Sequence, residues 1–121
     1  MATTPSYRAF VLYQLGRVAS GITAKNMFGG VGIYAGDLFF ALIGNDTVYL
    51  KVDAATRPDF EAVGMGPFRP FGEGGEVMQY YEIPPDVLEE PEALREWVAK
   101  AIEVAHRARR AKKRPTKKKP S

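Results

Sequence analysis

The spacing of apolar residues in positions 25–53 predicts an antiparallel β-meander. Three short apolar segments are separated there by tight-turn signals at residues 36–37 and 44–46. Short strands joined by such turns are typical of consecutive β-hairpins. The last segment alternates apolar and polar residues over positions 48–53, which predicts one buried and one wetter face. The middle segment, residues 38–43, is apolar on both faces, so we expect it to lie centrally in the sheet.

Helical spacing appears before the meander, directly after it and at the end of the chain. In residues 7–18 apolar side chains recur every three or four positions, which predicts an amphipathic helix. Residues 53–64 predict a second helix, with Pro58 in the first turn, where a missing N–H does little harm. A third helix is predicted from about Pro91, and its apolar face fades near Ala105.

A second hairpin is predicted between the last two helices. Its strands are residues 67–71 and 77–83, joined by a glycine-rich loop and ended by two prolines that cannot donate to a ladder. The element order is then α-β-β-β-α-β-β-α. We therefore predict an α+β fold of two layers, with an antiparallel sheet of about five strands and helices packed on one face.

Charge divides the 121 residues into two parts. Residues 1–106 contain all 14 acidic residues and eight basic ones, a net charge of −6. Residues 107–121 contain no acid and nine basic residues, and they include prolines and few apolar side chains. Segments of this composition rarely fold alone. We therefore predict a folded domain at 1–106 and a basic, disordered tail at 107–121.

The tail is the predicted nucleic-acid contact, because cations bind phosphates without reading base sequence. The alternative, a tail that only keeps the protein in solution, carries equal weight. The acidic net charge of residues 1–106 would repel a phosphate backbone, so weak, non-specific binding is expected only from the tail. The residues concerned are Arg107, Arg109, Arg110, Lys112, Lys113, Arg114, Lys117, Lys118 and Lys119.

The sequence offers no convincing chemistry for catalysis, a cofactor or a metal. Residues 30–35 match G-x-G-x-x-[GA], but a predicted hairpin follows them where a dinucleotide site requires a helix. His106 is the single histidine, and the chain contains no cysteine for a thiol nucleophile or a zinc site. We therefore predict no catalytic, cofactor-binding or metal-binding residues, and no enzymatic activity.

Aromatic residues are dense in the two predicted hairpins. Cross-strand pairing is the simpler explanation for them, and a protein-binding or self-association face is the alternative. Together with the middle segment, apolar on both faces, they predict a protein partner and self-association as a homodimer. The candidate interface residues are Tyr34, Phe39, Tyr49 and Tyr80.

The N-terminal segment and the longest apolar runs indicate where in the cell the protein is expected. The first ten residues lack the features of a signal peptide, and no apolar run approaches the roughly 20 residues needed to span a bilayer. We therefore expect a cytoplasmic protein without membrane contact.

Several segments, taken in order, resemble the TfoX N-terminal domain of the Sxy/TfoX competence regulators. The resemblance implies a small two-layer fold and a non-enzymatic role in transcription, together with the cAMP receptor protein at promoters for DNA uptake. Full-length regulators of this kind have a second, helical domain, so this chain resembles a stand-alone N-terminal domain. The matching segments are residues 27–34, 37–43, 48–53, 56–60, 65–68 and 80–84.

Three functional hypotheses follow from the sequence. The first is a regulatory module that acts through protein contacts, and the second is a nucleic-acid-associated protein that binds through its tail. The third is an enzyme or ligand-binding domain with a pocket between the sheet and the helices.

Overall fold

A computed structural model describes residues 3–27, 29–68 and 79–113 of the chain. Helices precede, interrupt and follow a single sheet, in the order α-β-β-β-β-α-β-α-α. The elements are α1 (Pro5–Val18), β1 (Ile22–Met27), β2 (Gly30–Ala35), β3 (Leu38–Gly44), β4 (Thr47–Lys51), α2 (Arg57–Ala62), β5 (Tyr80–Glu82), α3 (Pro85–Leu88) and α4 (Pro91–Lys113).

The sheet has five strands in the order β1-β2-β3-β4-β5, and every neighbouring pair is antiparallel. The predicted α+β class and the five-stranded antiparallel sheet are confirmed. The predicted order of elements was wrong in two places: the meander has four strands rather than three, and a short helix, α3, follows β5. Only Ile22 and Ala24 of β1 pack against the core, so its apolar pattern is too weak to reveal a strand.

The second predicted hairpin is present only in part. Strand β5 pairs with β4, and Pro67 forms an isolated antiparallel bridge with Tyr81. Residues 69–78, which include most of the first predicted strand and the loop, lie outside the described residues. Helix α2 is shorter than predicted, since residues 54–56 form a turn before it.

A tight turn connects β3 to β4 and also anchors the first helix. Asn45 and Asp46 both have positive φ, 54° and 55°, as expected for a type I′ hairpin turn. The Oδ1 atom of Asp46 accepts a hydrogen bond of 2.8 Å from the Thr4 backbone N–H. Thr4 is the N-cap of α1, so the turn fixes where this helix begins relative to the sheet.

A β-bulge in β3 places two consecutive side chains in the main core. Ile33 lies opposite Ala41 and Tyr34 lies opposite Phe39, which leaves Phe40 without a partner in β2. An extra residue of this kind interrupts the alternation of side chains between the two faces. As a result Phe40 and Ala41, both 0% exposed, belong to the same cluster beneath the helices.

The main core lies between one face of the sheet and the helices. Leu15 of α1, Phe60 of α2 and Val98 of α4 pack there against Ile33 and other sheet residues. Helix α4 contacts both β3 and β4, and α1 contacts α4 and β1. The predicted packing of helices on one face is therefore observed.

Helix α4 extends through Lys113, so residues 107–113 are helical where the sequence predicted disorder. The physical reason is that Arg107 and Arg109 form ion pairs with Asp53 and Asp37 of the domain body. Residues 114–121 lie outside the described residues. Within the described ranges, no helix combines the length and apolarity that crossing a membrane requires.

We expect Phe40→Ala to lower the free energy of unfolding by about 4 kcal/mol, because it removes a fully buried aromatic ring from the main core. Chemical denaturation monitored by circular dichroism measures the change. Tyr13→Ala is the matched control, since Tyr13 is 65% exposed on α1, and we expect it to cost less than about 0.5 kcal/mol. Equal losses in the two variants would contradict the placement of the core.

Candidate functional site

The sheet face opposite the main core is lined with aromatic side chains. Leu42, Phe68 and Tyr80 form a second buried cluster there, and Phe39 and Tyr49 pack against it. Leu42 lies between Ala41 and Ile43, which both point into the main core, so strand alternation places this second cluster on the other face. We call the set Tyr34, Phe39, Leu42, Tyr49, Phe68 and Tyr80 the aromatic face.

The rings of the aromatic face contact one another across the strands. Tyr34 stacks on Phe39 with ring centroids 5.1 Å apart, and Phe39 lies 5.4 Å from Tyr80. Tyr49 contacts Phe68 at 4.9 Å. These distances are typical of favourable aromatic pairs. The simpler explanation of the sequence pattern, cross-strand pairing, is correct for Tyr34 and Phe39, which lie opposite each other in β2 and β3.

The four candidate interface residues differ in exposure. Tyr34, Phe39 and Tyr49 are half-buried, which leaves part of each ring open to solvent. Tyr80 is only 5% exposed, so it supports Phe39 rather than offering a surface of its own. Cross-strand pairing and an exposed aromatic surface therefore coexist on this face.

Two lysines border the aromatic face. The Nζ atom of Lys25 lies 5.5 Å from the centre of the Tyr34 ring, and that of Lys51 lies 5.0 Å from the centre of the Tyr80 ring. Both distances fit cation–π contacts. Neither lysine was predicted as part of a site, although alternation in β4 places Lys51 on the same side as Tyr49 and could have identified it.

The glycines of β2 serve packing rather than phosphate binding. A Cβ atom on Gly32 would lie 2.5 Å from Cε of Met27 and 3.2 Å from Cε1 of Phe39. Gly32 therefore leaves the space that the Phe39 ring and the Met27 side chain occupy. The fingerprint residues are followed by a turn and β3, so there is no helix N-terminus at which a pyrophosphate could bind.

Burial raises the pKa values of two tyrosines on this face, Tyr80 and Tyr49. It raises the pKa of Tyr80 to about 12, with a smaller contribution from Tyr34. Burial also raises the pKa of Tyr49, and the neighbouring Glu82 adds to the effect. These hydroxyls stay protonated at neutral pH and can donate hydrogen bonds, but they are poor general bases.

The end of α4 forms a second group of candidate residues, in which arginines meet acids. Arg107 donates to Oδ2 of Asp53 from Nη2 at 2.7 Å and from Nε at 3.2 Å. Arg109 makes a bidentate pair with Asp37, at 2.6 Å and 2.7 Å. Arg110 lies 3.5 Å from Glu103. Three of the four arginines predicted to bind phosphates are thus close to carboxylates within the domain.

The remaining predicted phosphate contacts lie at or beyond the last described turn of the helix. Lys112 and Lys113 end α4. Arg114, Lys117, Lys118 and Lys119 lie outside the described residues. The sequence could not anticipate the ion pairs, because residues 54 and 72 positions apart meet only in the folded chain.

Asp53 connects the end of β4 to the turn before α2. Its Oδ1 atom accepts the backbone N–H groups of Ala55 and Thr56, at 3.0 Å and 3.1 Å. Burial works to raise the pKa of Asp53, but the hydrogen bond from Arg107, the two N–H groups and the positive charge of Arg107 together lower it. The carboxylate is therefore ionised at neutral pH and has a structural role.

In the described part of the chain, the most enclosed cavity is too small for a ligand, and the larger grooves, of about 850 Å³ and 570 Å³, are open to solvent. The cavity bounded by Met27, Leu42 and Phe68 has a volume of about 20 Å³, room for about one water molecule. An open groove of about 570 Å³ near the end of α4 is lined by Lys51, Arg57, Asp53 and Arg107, among others. No group of three or more potential metal ligands occurs among the described residues.

Comparison with known proteins identifies the family. Residues 13–105 match the sequence model of the TfoX N-terminal domain. This match spans more than half of the chain and includes the whole sheet and most of α4. The chain has no significant match among the curated proteins.

We expect Tyr80→Phe to flatten the loss of stability at alkaline pH. The pKa of Tyr80 rises from 10.0 to about 12 on folding, so above about pH 10 the unfolded chain loses this proton first. The wild-type protein should therefore lose on the order of 2 kcal/mol between pH 10 and 12 through this group. Urea denaturation across this range measures the slope, and Tyr13→Phe is the control for loss of an exposed hydroxyl. An unchanged slope in Tyr80→Phe would contradict the burial of this hydroxyl.

We expect Asp53→Asn to destabilise the protein by about 1 kcal/mol at neutral pH, because it removes the charge that pairs with Arg107 and strengthens the hydrogen bonds from two backbone N–H groups. Because the pKa of Asp53 is lower in the folded protein than its ordinary 3.8, this stabilisation is present above about pH 4. It is lost as the pH falls through the folded-state pKa, so the variant and the wild type should then converge. Asp59→Asn, which removes an exposed pair with Lys100, is the control and should cost less. A constant difference at all pH values would exclude the carboxylate as the cause.

Proposed function

This chain belongs to the TfoX N-terminal domain family, and we propose that it is a non-enzymatic regulatory domain that acts by binding other macromolecules. In this proposal it is cytoplasmic and contributes to transcriptional regulation of DNA uptake, the role that the family resemblance implies. Its direct contacts are with proteins of the transcription machinery.

The aromatic face is the observation that supports this proposal most. Tyr34, Phe39 and Tyr49 are held by contacts with other rings of the face, yet each remains partly exposed. Rigid aromatic side chains lose little conformational entropy on binding, and they are enriched at the centres of protein interfaces. The bordering Lys25 and Lys51 would suit a partner with acidic residues at the rim of its own surface.

The state of the polar groups supports a role without catalysis. Asp37, Asp53 and Asp59 are all engaged in ion pairs with basic residues. Catalytic acids and bases usually lie in a cleft with a pKa shifted toward neutrality. The pKa of Asp53 is instead lowered, and that of Tyr80 is raised to about 12.

Phe39→Ser tests the protein contact directly. The probe is purified cAMP receptor protein bound to cAMP and to a promoter fragment, with binding measured by isothermal titration calorimetry. We expect the wild-type domain to bind and Phe39→Ser to weaken binding by about tenfold or more, as for an interface hot spot. Tyr13→Ser, a change to an exposed aromatic residue on α1 outside the face, should leave binding unchanged.

Two results would count against the proposal. If the wild-type domain did not bind this complex, the link to this regulator would be wrong. If Phe39→Ser and Tyr13→Ser weakened binding equally, the aromatic face would not be the contact. Circular dichroism of each variant checks that the fold is retained.

A second candidate function, non-specific nucleic-acid binding by the basic segment, is favoured by the charge of residues 107–121. We propose that the lysines beyond α4 contribute more than the arginines within it. Arg107 and Arg109 each donate two hydrogen bonds to an aspartate, so phosphate binding would have to displace an existing partner. This moves the predicted contact toward the end of the chain.

Charge removal at two places separates these contributions. We expect the triple variant Lys117→Ala, Lys118→Ala and Lys119→Ala to reduce the slope of log K against log salt by about 2 to 3 for duplex DNA. The double variant Arg107→Ala and Arg109→Ala should reduce it by less than about 1. Fluorescence anisotropy at several salt concentrations gives both slopes. A larger change in the arginine variant would reverse the assignment.

A further inference from the structure

The outer edge of β1 presents backbone groups that no described residue pairs. Gly36 N–H donates to the Gly21 carbonyl at 2.9 Å, which places these two residues in a hydrogen-bonded pair of the antiparallel ladder. Such pairs recur at every second residue. The backbone groups that point toward β2 therefore belong to Thr23, Lys25 and Met27, and those that point outward belong to Ile22, Ala24 and Asn26. Within the described ranges, these outward groups make no hydrogen bond.

The opposite edge of the sheet is closed. Strand β5 has three residues, and its outer side receives a hydrogen bond of 2.7 Å from Phe68 N–H to the Tyr80 carbonyl. Glu82 N–H donates outward to the Gly66 carbonyl at 2.9 Å. Residues 66–68 thus cover β5, whereas β1 offers six residues without a proline. An uncovered edge of this kind is a template for pairing with another strand.

We propose that two copies of this chain associate by antiparallel pairing of their β1 strands, with the two-fold axis at Ala24. Antiparallel pairing requires outward-facing residues to lie opposite each other. This register pairs all three outward-facing residues of each copy. Ala24 pairs with Ala24 of the second copy, and Ile22 pairs with Asn26. On the other face of the strand, Thr23 then lies opposite Lys25.

Side-chain charge selects this register over its neighbours. If the two-fold axis lay at Lys25 instead of Ala24, the two Lys25 side chains would lie directly opposite each other, which is unfavourable. If the axis lay at Thr23, that repulsion would be avoided, but Asn26 would have no partner residue in β1 of the second copy. The register centred on Ala24 therefore makes the most hydrogen bonds and has no pair of like charges.

Within the described residues, β1 is the open edge of the sheet and β5 is covered. A second copy brings the same open strand, so the two β1 strands can pair with each other, and no open edge of the described sheet remains for a third copy. Pairing through the same strand of both copies is isologous, so it closes at a dimer instead of growing into a filament. Both aromatic faces then lie on the same side of one continuous sheet. Because a six-residue strand buries little area, we expect a weak dimer with a dissociation constant on the order of 100 μM.

Amide hydrogen exchange followed by NMR tests the edge residue by residue. We expect the N–H groups of Ile22, Ala24 and Asn26 to exchange rapidly at about 20 μM protein and to become protected at about 1 mM. The N–H groups of Thr23 and Lys25, which bond to β2, should be protected at both concentrations. If Ala24 exchanged equally fast at both concentrations, the proposal would be wrong.

Charge substitutions test the register. Thr23→Lys would place a lysine opposite Lys25 of the second copy at two symmetric positions, and we expect it to raise the dimer dissociation constant by about tenfold. Adding Lys25→Glu in the same chain creates two opposite-charge pairs and should restore dimerisation. Thr23 and Lys25 are both exposed, so these changes should spare the fold. Ala9→Lys, an exposed position on α1, controls for the added charge.

Sedimentation equilibrium measures the dissociation constant of each variant. A wild-type protein that stayed monomeric at 1 mM would overturn the proposal. So would a dimer whose dissociation constant changed equally in Thr23→Lys and Ala9→Lys, because association would then use another surface. Failure of the dimer leaves the proposed protein contact of the aromatic face unaffected, since that contact is measured with a different partner and a different variant.

Discussion

Burial of the central strand β3 on both faces is the constraint on which the rest of the structure depends. Phe40, Ala41 and Ile43 lie beneath the helices, while Leu42 lies on the opposite side among aromatic rings. The bulge at Phe40 is what permits this distribution, because it adds a residue to the helix-facing layer without shifting the strand as a whole. Both layers of packing are therefore built on the same seven residues of β3.

The sequence predicted those features that depend on local spacing. The hairpin turns, the central position of residues 38–43 and the first helix are visible as short-range patterns, and the structure confirms them. Strand β1 was missed because an edge strand beside one helix needs few apolar residues. The helical end of α4 was mispredicted because its basic residues are compensated by Asp37 and Asp53, which are distant in sequence.

The candidate site, like the fold, could be predicted from the sequence only in part. The aromatic residues of the hairpins could be identified from composition and alternation, but their exposure could not. Tyr34 is half-buried while Tyr80 is almost fully buried, a difference that arises from the packing of Phe39 and Phe68 around Tyr80. The packing role of Gly32 likewise follows from Met27 and Phe39, which become its neighbours only in the sheet.

Mapping of backbone NMR shifts tests the proposal that the aromatic face binds a protein partner. The labelled protein would be titrated with the cAMP receptor protein bound to its promoter fragment. If the aromatic face is the contact, we expect shift changes to concentrate at residues around Tyr34, Phe39 and Tyr49 and to be small on α1. Changes confined to residues 107–121, or to the helical layer, would contradict it.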